Sequence, residues 1–376
     1  MDEAEFAETV EAAGGRAYIV GGWVRDALRG AVPHDKDYVV AGLSERAFRS
    51  LFKGAVPVGG GFPVFRLNIG ETWCDVALAR RDSKTGRGYR GFSASYDERT
   101  TIEEDLRRRD TTINSIACDI RAGNLVDPFG GALDIGMKII RATSEHFTDD
   151  PVRALRAARQ AALFGYSIEP GTLRMMGAAR GEIAGEPSER IAGELKRAMC
   201  ANRPSVFFER LQDAGLLDVT YPQLHALPSG VFERAMQTLD GVSAMTGLLE
   251  VRFAALICCL GAEALGGWKR AMALPRNWIK CASFAASNIR VSDSSPPDEI
   301  AGLLQRVRRH PLGADGLSMI ILAHSRELPE FLARAEKYYE AMDYATQRAI
   351  PSHLAGPAIG EWRARLWAEA VRALKA

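Results

Sequence analysis

The chain has 376 residues, 47% hydrophobic and 25% charged, with a formal net charge of +1. That length exceeds one ordinary domain, so two to four are expected, and the near-neutral balance excludes a uniformly basic protein, so any nucleic-acid surface has to be local. No apolar run reaches membrane-spanning length, the acidic start MDEAEFAETVEAAGG is no signal peptide, and six unevenly spaced cysteines fit reduced thiols better than a disulfide framework; a soluble, cytoplasmic protein is expected.

Residues 1–140 mix β-branched, strand-like runs (AYIV, KDYVV, PVFRLNI, TWCDVALA, KIIRAT) with short helical segments, which predicts a small α/β domain. Gly21 and Gly22 stand between the strand AYIV and the helical stretch WVRDALRG. Such a turn presents backbone N–H groups to an anion, and Arg25 in the first helical turn adds a positive fork. A plain structural turn is the competing reading. No GxxxxGK[ST] is present, and GGGF at 59–62 is not a dinucleotide fingerprint.

Asp35 and Asp37 alternate with apolar residues on the next predicted strand. Residues i and i+2 share a strand face, so both carboxylates aim at one point, as a Mg²⁺ site needs. Asp75, in WCDVALAR, sits on another strand that would pair alongside. Three carboxylates beside a phosphate-binding turn point to two-metal phosphoryl or nucleotidyl transfer. The competing reading is a pair of solvated aspartates on an edge strand.

Residues 80–100, RRDSKTGRGYRGFSASYDERT, read as a glycine-rich surface loop. RRRDTTINSIA places Arg107, Arg108 and Arg109 ahead of a helical run, and Arg107 fits a solvated position. Asp127, in LVDPFGG, fits a turn cap.

From residue 150 the strand signals almost vanish. DPVRALRAARQAALFGY, PSERIAGELKRAM and RPSVFFERLQDAGLLDVTYP carry apolar residues at helical spacing. Asp150 before Pro151 suits a helix N-cap. Arg153, Arg156 and Arg159 form an i, i+3, i+6 stripe, which as arginines alone fits a solvated or salt-bridged face. Residues 285–299, ending in SDSSPPDE, form a linker before the last helical segment. Cys258 and Cys259 read as buried core thiols, and His310, His324 and His353 belong to no visible ligand pattern. Lys269, Arg270, Arg276, Lys280, Arg306, Arg308 and Arg309 are candidate phosphate contacts.

GGWVRDALRG…DKDYVV, ARRDSKTGRGYRGF, EEDLRRRDTTINSIA, LVDPFGG, DDPVRALRAAR and PSERIAGELKRAM follow one another in the order of a known family, with similarity running to about residue 227. The chain resembles the class II tRNA nucleotidyltransferases and the related bacterial poly(A) polymerases, its wording nearer to the CCA-adding members. The resemblance implies an α/β nucleotidyltransferase head of the DNA polymerase beta-like type over residues 1–141. A neck of base-recognition helices follows over 142–227, then an all-α body and tail that bind tRNA over 228–376. It implies CTP and ATP as substrates, the tRNA 3′ end as partner, Mg²⁺ at Asp35 and Asp37, and no obligate protein partner. Arg109 would contact the nucleotide phosphates, Asp110 the ribose, and Asn114 would support the pocket. The 80–100 loop would help the pocket switch from C to A. Asp150 and Arg153 would template the base, with Arg156 completing the pocket.

An ionised Asp only accepts and an Arg only donates hydrogen bonds, which suits the amino edges of cytosine and adenine and mispairs guanine and uracil. Asp149 departs from the family's usual Glu, with a shorter reach. The VRFAALICCLG segment resembles one that carries a His-Asp phosphohydrolase pair in longer relatives, with Cys258 and Cys259 in that place, so no such activity is expected. The alternatives are a poly(A) polymerase, a CC-only or A-only enzyme of the same family, and a non-catalytic RNA-binding protein.

Overall fold

A computed structural model describes the chain apart from residues 59–62, 87–90, 261–264, 269–271 and 376. GGGF at 59–62, part of the 80–100 loop, and Lys269 and Arg270 therefore lie outside the described residues. Met1–Glu194 with Val206–Thr220 forms one unit, and Leu195–Ser205 with Tyr221–Ala376 forms a second.

The first unit opens with α1 (Glu3–Ala12), started by a capping box in which the Asp2 side chain accepts from the Glu5 amide and Glu5 returns the bond. β1 (Arg16–Val20), α2 (Gly22–Leu28), β2 (Asp37–Ala41), α3 (Glu45–Leu51), β3 (Val56–Val58), β4 (Val64–Ile69) and β5 (Thr72–Leu78) follow. A hairpin of β6 (Arg81–Lys84) and β7 (Phe92–Ser95) then leads to α4 (Ile102–Arg107), β8 (Ala117–Asp119) and β9 (Leu125–Val126). The seven-stranded sheet runs β3-β4-β5-β2-β1-β8-β9. β2 and β5 are parallel, while β1 is antiparallel to both β2 and β8.

Both faces of the central strands are covered, which is why β1 and β2 read as continuous apolar runs. On one face Phe6 of α1 meets Tyr38 at 5.6 Å, and Phe48 of α3 meets Phe65 at 4.9 Å. On the other, Ile102 and Leu106 of α4 pack on Tyr18, Val20 and Val39. Asp37 shares the second face with Val39, because side chains alternate along a strand. That alternation puts the carboxylate on the side where α4 delivers Arg109.

Past the sheet come α5 (Gly131–Met137), a 3-10 turn at Glu145–Asp149, and α6 (Val152–Phe164). Asp127 accepts the amides of Gly131 and Ala132 at 2.7 and 2.9 Å, so it caps α5 as its sequence context predicts. KIIRAT contributes only Ile139–Ile140 to a strand, paired in parallel with Ser167–Ile168. The expected helical run after RRRD is a single 3-10 turn, Thr112–Asn114, because β8 claims the residues that follow.

The second unit is helical in its described residues. Tyr221, Phe253, Trp268 and Trp278 make a stacked aromatic core, with Tyr221–Trp268 at 5.4 Å and Phe253–Trp278 at 5.2 Å. Buried Arg252 sends its donors to the carbonyls of Met199, Ala201, Ser243 and Thr246, closing helix ends that carry unpaired C=O groups. Residues 289–296, within the expected linker, join helices Arg276–Asn288 and Pro297–Val307 of this same unit. Among the described residues no helix is long and apolar enough to cross a membrane.

Candidate active site

Asp37 opens β2 and is in register with Val20 of β1 and Asp75 of β5. Register partners on adjacent strands share a face, so the Asp37 and Asp75 carboxylates point the same way. Asp35 lies ahead of the strand and not on it, a correction to the sequence reading. The alternation nevertheless continues, for Lys36 turns to the opposite side and bonds Glu3 at 2.8 Å. Pro33 and the lack of a ladder partner explain the late strand start. The three carboxylates line one cleft of about 660 Å³.

The charge balance of this cleft is incomplete. Asp75 has Arg66 at 3.3 Å, with both side chains about half exposed. Among the described residues no cation reaches ion-pair distance of Asp35 or Asp37. Asp37 is open to solvent at the cleft floor, yet desolvation by the surrounding wall pushes its carboxyl above the usual range. Arg109 pulls it down, and Asp75 and Asp35 push it up again. Clustered oxygen donors short of positive charge fit a hard divalent cation.

Gly21 has φ +69°, a conformation that disfavours side chains, and a Cβ there would stand 3.2 Å from Arg109 Nη1. The glycine thus lets the guanidinium reach the sheet end. Arg109 is held through Nε and Nη2 on Asp105, at 3.3 and 3.0 Å, with Nη1 left facing the turn. Asp105 is fully buried and also takes Arg108, at 2.5 and 3.0 Å, so one carboxylate aligns two arginines. Arg107 points outward to Glu145 at 2.7 Å, an exposed pair as expected.

The Gly21–Gly22 turn differs from a free anion cradle. The Gly21 amide already donates to Ile116 O at 3.2 Å. Gly22, the first residue of α2, lies beside Arg25, whose Nη2 would make ordinary contact at 3.6 Å with a Cβ there, so this position does not require glycine. Arg25 is latched, bonding Asp26 through Nε and Nη2 at 3.0 and 2.8 Å and Asn114 Oδ1 through Nη1 at 2.6 Å. Its guanidinium also lies over Phe164, 4.6 Å from the ring centre. A neighbouring carboxylate therefore takes the fork that the sequence reading had left for phosphate.

Asn114 passes the connection inward, donating from Nδ2 to Asp110 Oδ1 at 3.1 Å. Asp110 is 5% exposed and both its oxygens are engaged. Oδ1 also takes the Thr111 amide at 2.8 Å, and Oδ2 takes Arg156 Nε at 2.8 Å and Gln160 Nε2 at 3.0 Å. Burial opposes ionisation, but Arg156, Asn114 and the Thr111 amide outweigh it and hold the carboxyl far below the usual range. Asp110 so fixes Asn114 and α6 relative to each other.

On α6 the arginine stripe divides by partner. Arg156 belongs to Asp110, and Arg159 is bonded to Glu194 at 2.5 Å, leaving Arg153. Arg153 donates Nη1 to His146 O at 2.5 Å and has no carboxylate at ion-pair distance among the described residues. Its guanidinium pKa is lowered chiefly by desolvation. Asp150 stands one residue ahead of the N-cap position, which Pro151 takes, and serves the helix entry from there, accepting the Val152 amide on Oδ1 at 3.1 Å, while Oδ2 holds Arg190 Nη2 at 2.7 Å. Arg190 was not singled out in the sequence, although PSERIAGELKRAM was. It also bonds Glu186 at 2.6 Å, and only the fold brings helix Ser188–Ala198 to Asp150. Asp149 accepts from His146 Nδ1 at 2.7 Å when that nitrogen is protonated. Lys84 of the hairpin bonds Thr148 O at 3.2 Å and Glu182 at 2.9 Å, tying β6 to the turn before α6.

In the second unit Arg276, Lys280 and Arg306 line a cavity of about 670 Å³ together with Phe284 and His310. Arg308 is paired with Asp343 at 2.9 Å and Arg309 lines a separate, smaller cavity.

Residues 17–141 match the Poly A polymerase head domain family, and residues 165–227 match the probable RNA and SrmB-binding site of polymerase A. A Multifunctional CCA protein of Nitrosospira multiformis is 36% identical over 315 residues, covering 78% of this chain and 73% of that protein. One from Xylella fastidiosa is 45% identical over 218 residues, 56% of this chain, and the chain spans only 51% of it. The Bacillus stearothermophilus CCA-adding enzyme solved with CTP superposes with a TM-score of 0.72 at 23% identity, over 98% of this chain and 92% of the other. A tRNA nucleotidyltransferase solved with a primer tRNA and an ATP analogue gives 0.68 at 24% identity, over 91% and 99%. The last two likenesses carry the fold alone, whereas the sequence matches carry kinship: the chain belongs to the tRNA nucleotidyltransferase/poly(A) polymerase family.

Proposed function

We propose that the protein is a CCA-adding tRNA nucleotidyltransferase, extending the tRNA 3′ end from CTP and ATP without a nucleic-acid template. The observation that carries this reading is the Asp37–Asp75 register pair with Asp35 beside it, facing the free Nη1 side of Arg109. Asp35 and Asp37 would hold Mg²⁺, with Asp75 alongside. Bound there, the ion would activate the attacking hydroxyl and neutralise phosphate charge.

The chain's own residues do the rest. Arg109, aligned by Asp105, presents Nη1 to the triphosphate. Gly21 keeps that approach open, and Arg25, latched on Asp26 and Asn114 beside Gly22, braces the turn. Asp110 acts as a positioning residue that sets Asn114 and Arg156, which complete the pocket around ribose and base. Arg153 supplies a donor and Asp150 an acceptor to the base edge, the combination that selects cytosine and adenine. Asp150 Oδ2 reaches the base by sharing or releasing Arg190. The division into head (1–141), neck (142–227) and tRNA-binding body and tail (228–376) belongs to the same proposal, as does a cytoplasmic setting.

The test uses the purified full chain, tRNA lacking its end, and CTP and ATP separately and together, with products resolved to single nucleotides. Two C additions from CTP and a final A only when both are present are expected. A long A tail, or no addition, overturns the reading.

A further inference from the structure

Among the described residues, one cluster of metal-ligating side chains lies outside the first unit. Helices Ser229–Met245, Leu249–Cys258 and Gly313–Ser325 pack together in the second unit. Cys258 ends the second of them, Cys259 caps it, and His324 comes from the last turn of the third. Cys259 Sγ is 3.8 Å from Cys258 Sγ and 3.5 Å from His324 Nδ1, and all three ligand atoms lie within 4.8 Å of one another. His324 is 65 positions from Cys259, so the sequence pattern could not reveal the pairing.

We propose that Cys258, Cys259 and His324 form a binding site for a thiophilic divalent cation of the Zn²⁺ type. Two of the three ligand–ligand distances are those of a tetrahedral site. With Zn–S about 2.3 Å and Zn–N about 2.0–2.1 Å, tetrahedral angles set S–S edges of about 3.8 Å and S–N edges of about 3.6 Å. Both edges made by Cys259 already have these lengths. Closing the third needs Cys258 to give up its bond to Ala255 O, 3.0 Å away, when its thiol ionises.

The donor set is soft, unlike the carboxylates of the first unit, and so selects a different metal. Two thiolates and a neutral imidazole around a divalent ion make an uncharged group, which suits a half-buried position. Cys259 and His324 are partly exposed and give the ion an entry path. Binding releases the thiol protons to solvent. A disulfide is the poorer use of this pair, because consecutive Cα atoms stand about 3.8 Å apart, below the usual disulfide range of about 4.4–6.8 Å.

The experiment titrates the reduced, chelator-stripped full chain with Co²⁺ in saturating Mg²⁺, which keeps the carboxylates occupied. One Co²⁺ per chain is expected, with a near-ultraviolet sulfur-to-cobalt charge-transfer band and tetrahedral visible bands, both removed by Zn²⁺. Cys259→Ser and His324→Ala should each weaken Zn²⁺ by more than the about 10–100-fold that outer-shell changes cost. Cys200→Ser, at an exposed thiol outside the cluster, should leave it unchanged. No sulfur-to-cobalt band in the wild-type protein overturns the proposal, whatever the variants do. So does a band that survives both cluster substitutions or disappears with Cys200→Ser.

Discussion

Asp37 and Asp110 are two aspartates of one unit, both tied to the RRRD segment, and their surroundings are opposite. Asp110 is sealed among Arg156, Gln160, Asn114 and the Thr111 amide, and its carboxyl is held far down. Asp37 faces Asp35 and Asp75 with only the field of Arg109 in its favour, and its carboxyl is pushed up. A fully satisfied charge fixes structure, while a crowded, undercompensated one at a cleft is a place where a ligand has something to gain. Substitutions should therefore separate the two, one through activity and the other through stability.

The largest effect is expected at Asp37. Under the proposed function, Asp37→Ala removes a ligand of an ion that would supply several kcal/mol of transition-state stabilisation. At about 1.4 kcal/mol per decade, nucleotide addition should fall on the order of 10³-fold or more. The melting temperature without divalent ions should hold or rise, because the native state disfavours this charge. The Mg²⁺-induced rise in melting temperature should vanish. Substantial turnover by the variant, or an unaltered Mg²⁺ response, would break the comparison from this side.

Asp110→Ala should do the reverse and unfold the unit more readily, by about 1–3 kcal/mol for a buried donor left without its acceptor, Arg156 itself being 40% exposed. For a unit of this size each kcal/mol is worth about 2–4 °C, which a thermal melt resolves. The pH dependence has a definite sign. The Asp110 pKa is depressed on folding, so its stabilisation is complete above the unfolded value near about 3.9 and is lost as pH falls through the folded one. The gap between wild type and Asp110→Asn should be constant from neutral pH to about 5 and should narrow below about 4. A gap that widens in acid would remove Asp110 from the structural role.

Much of this was legible in the residues themselves. Alternation put Asp35 and Asp37 on one side, and β-branched runs marked β1, β2, β4 and β5 as strands, because both depend on local periodicity. The failures share a cause. Arg25 looked free because its spacing assigned it no partner, Arg190 was not singled out, and His324 showed no ligand pattern, because tertiary packing supplies the partners. Composition also could not divide the Arg153, Arg156, Arg159 stripe, for that depends on Asp110 and Glu194 standing opposite two of the three. A pattern states which side chains share a face, and only the fold states what meets them.

The comparison sharpens further at Asp150, which combines both characters. Its Oδ1 caps α6 while its Oδ2 lies on Arg190, so Asp150→Ala should cost about 0.5–2 kcal/mol of stability through the cap alone. If the carboxylate also faces the base, CTP and ATP use should drop by an additional 1.5–3 kcal/mol, on the order of 10–100-fold, while UTP and GTP lose nothing. Competition among four nucleotides on one tRNA primer reads the difference. A lowered melting temperature with unchanged nucleotide preference makes Asp150 a cap.

Arg190→Ala completes the set with the smallest effect on nucleotide choice. It leaves the Val152 amide bond intact but removes two ion pairs, to Asp150 and to the buried Glu186 carboxylate, so the melting temperature should fall as well. It also frees Oδ2 to turn and loosens the acceptor that Arg153 is paired with across the base. If that acceptor must be aimed, discrimination against UTP and GTP should decline several-fold when assayed well below the melting temperature of the variant. Arg190→Lys should recover part of the loss, since a point charge restores attraction to Asp150 without the planar fork. Equal discrimination in the Ala, Lys and wild-type proteins would mean that Arg190 only secures its helix, and that Asp150 reads the base, if at all, without its help.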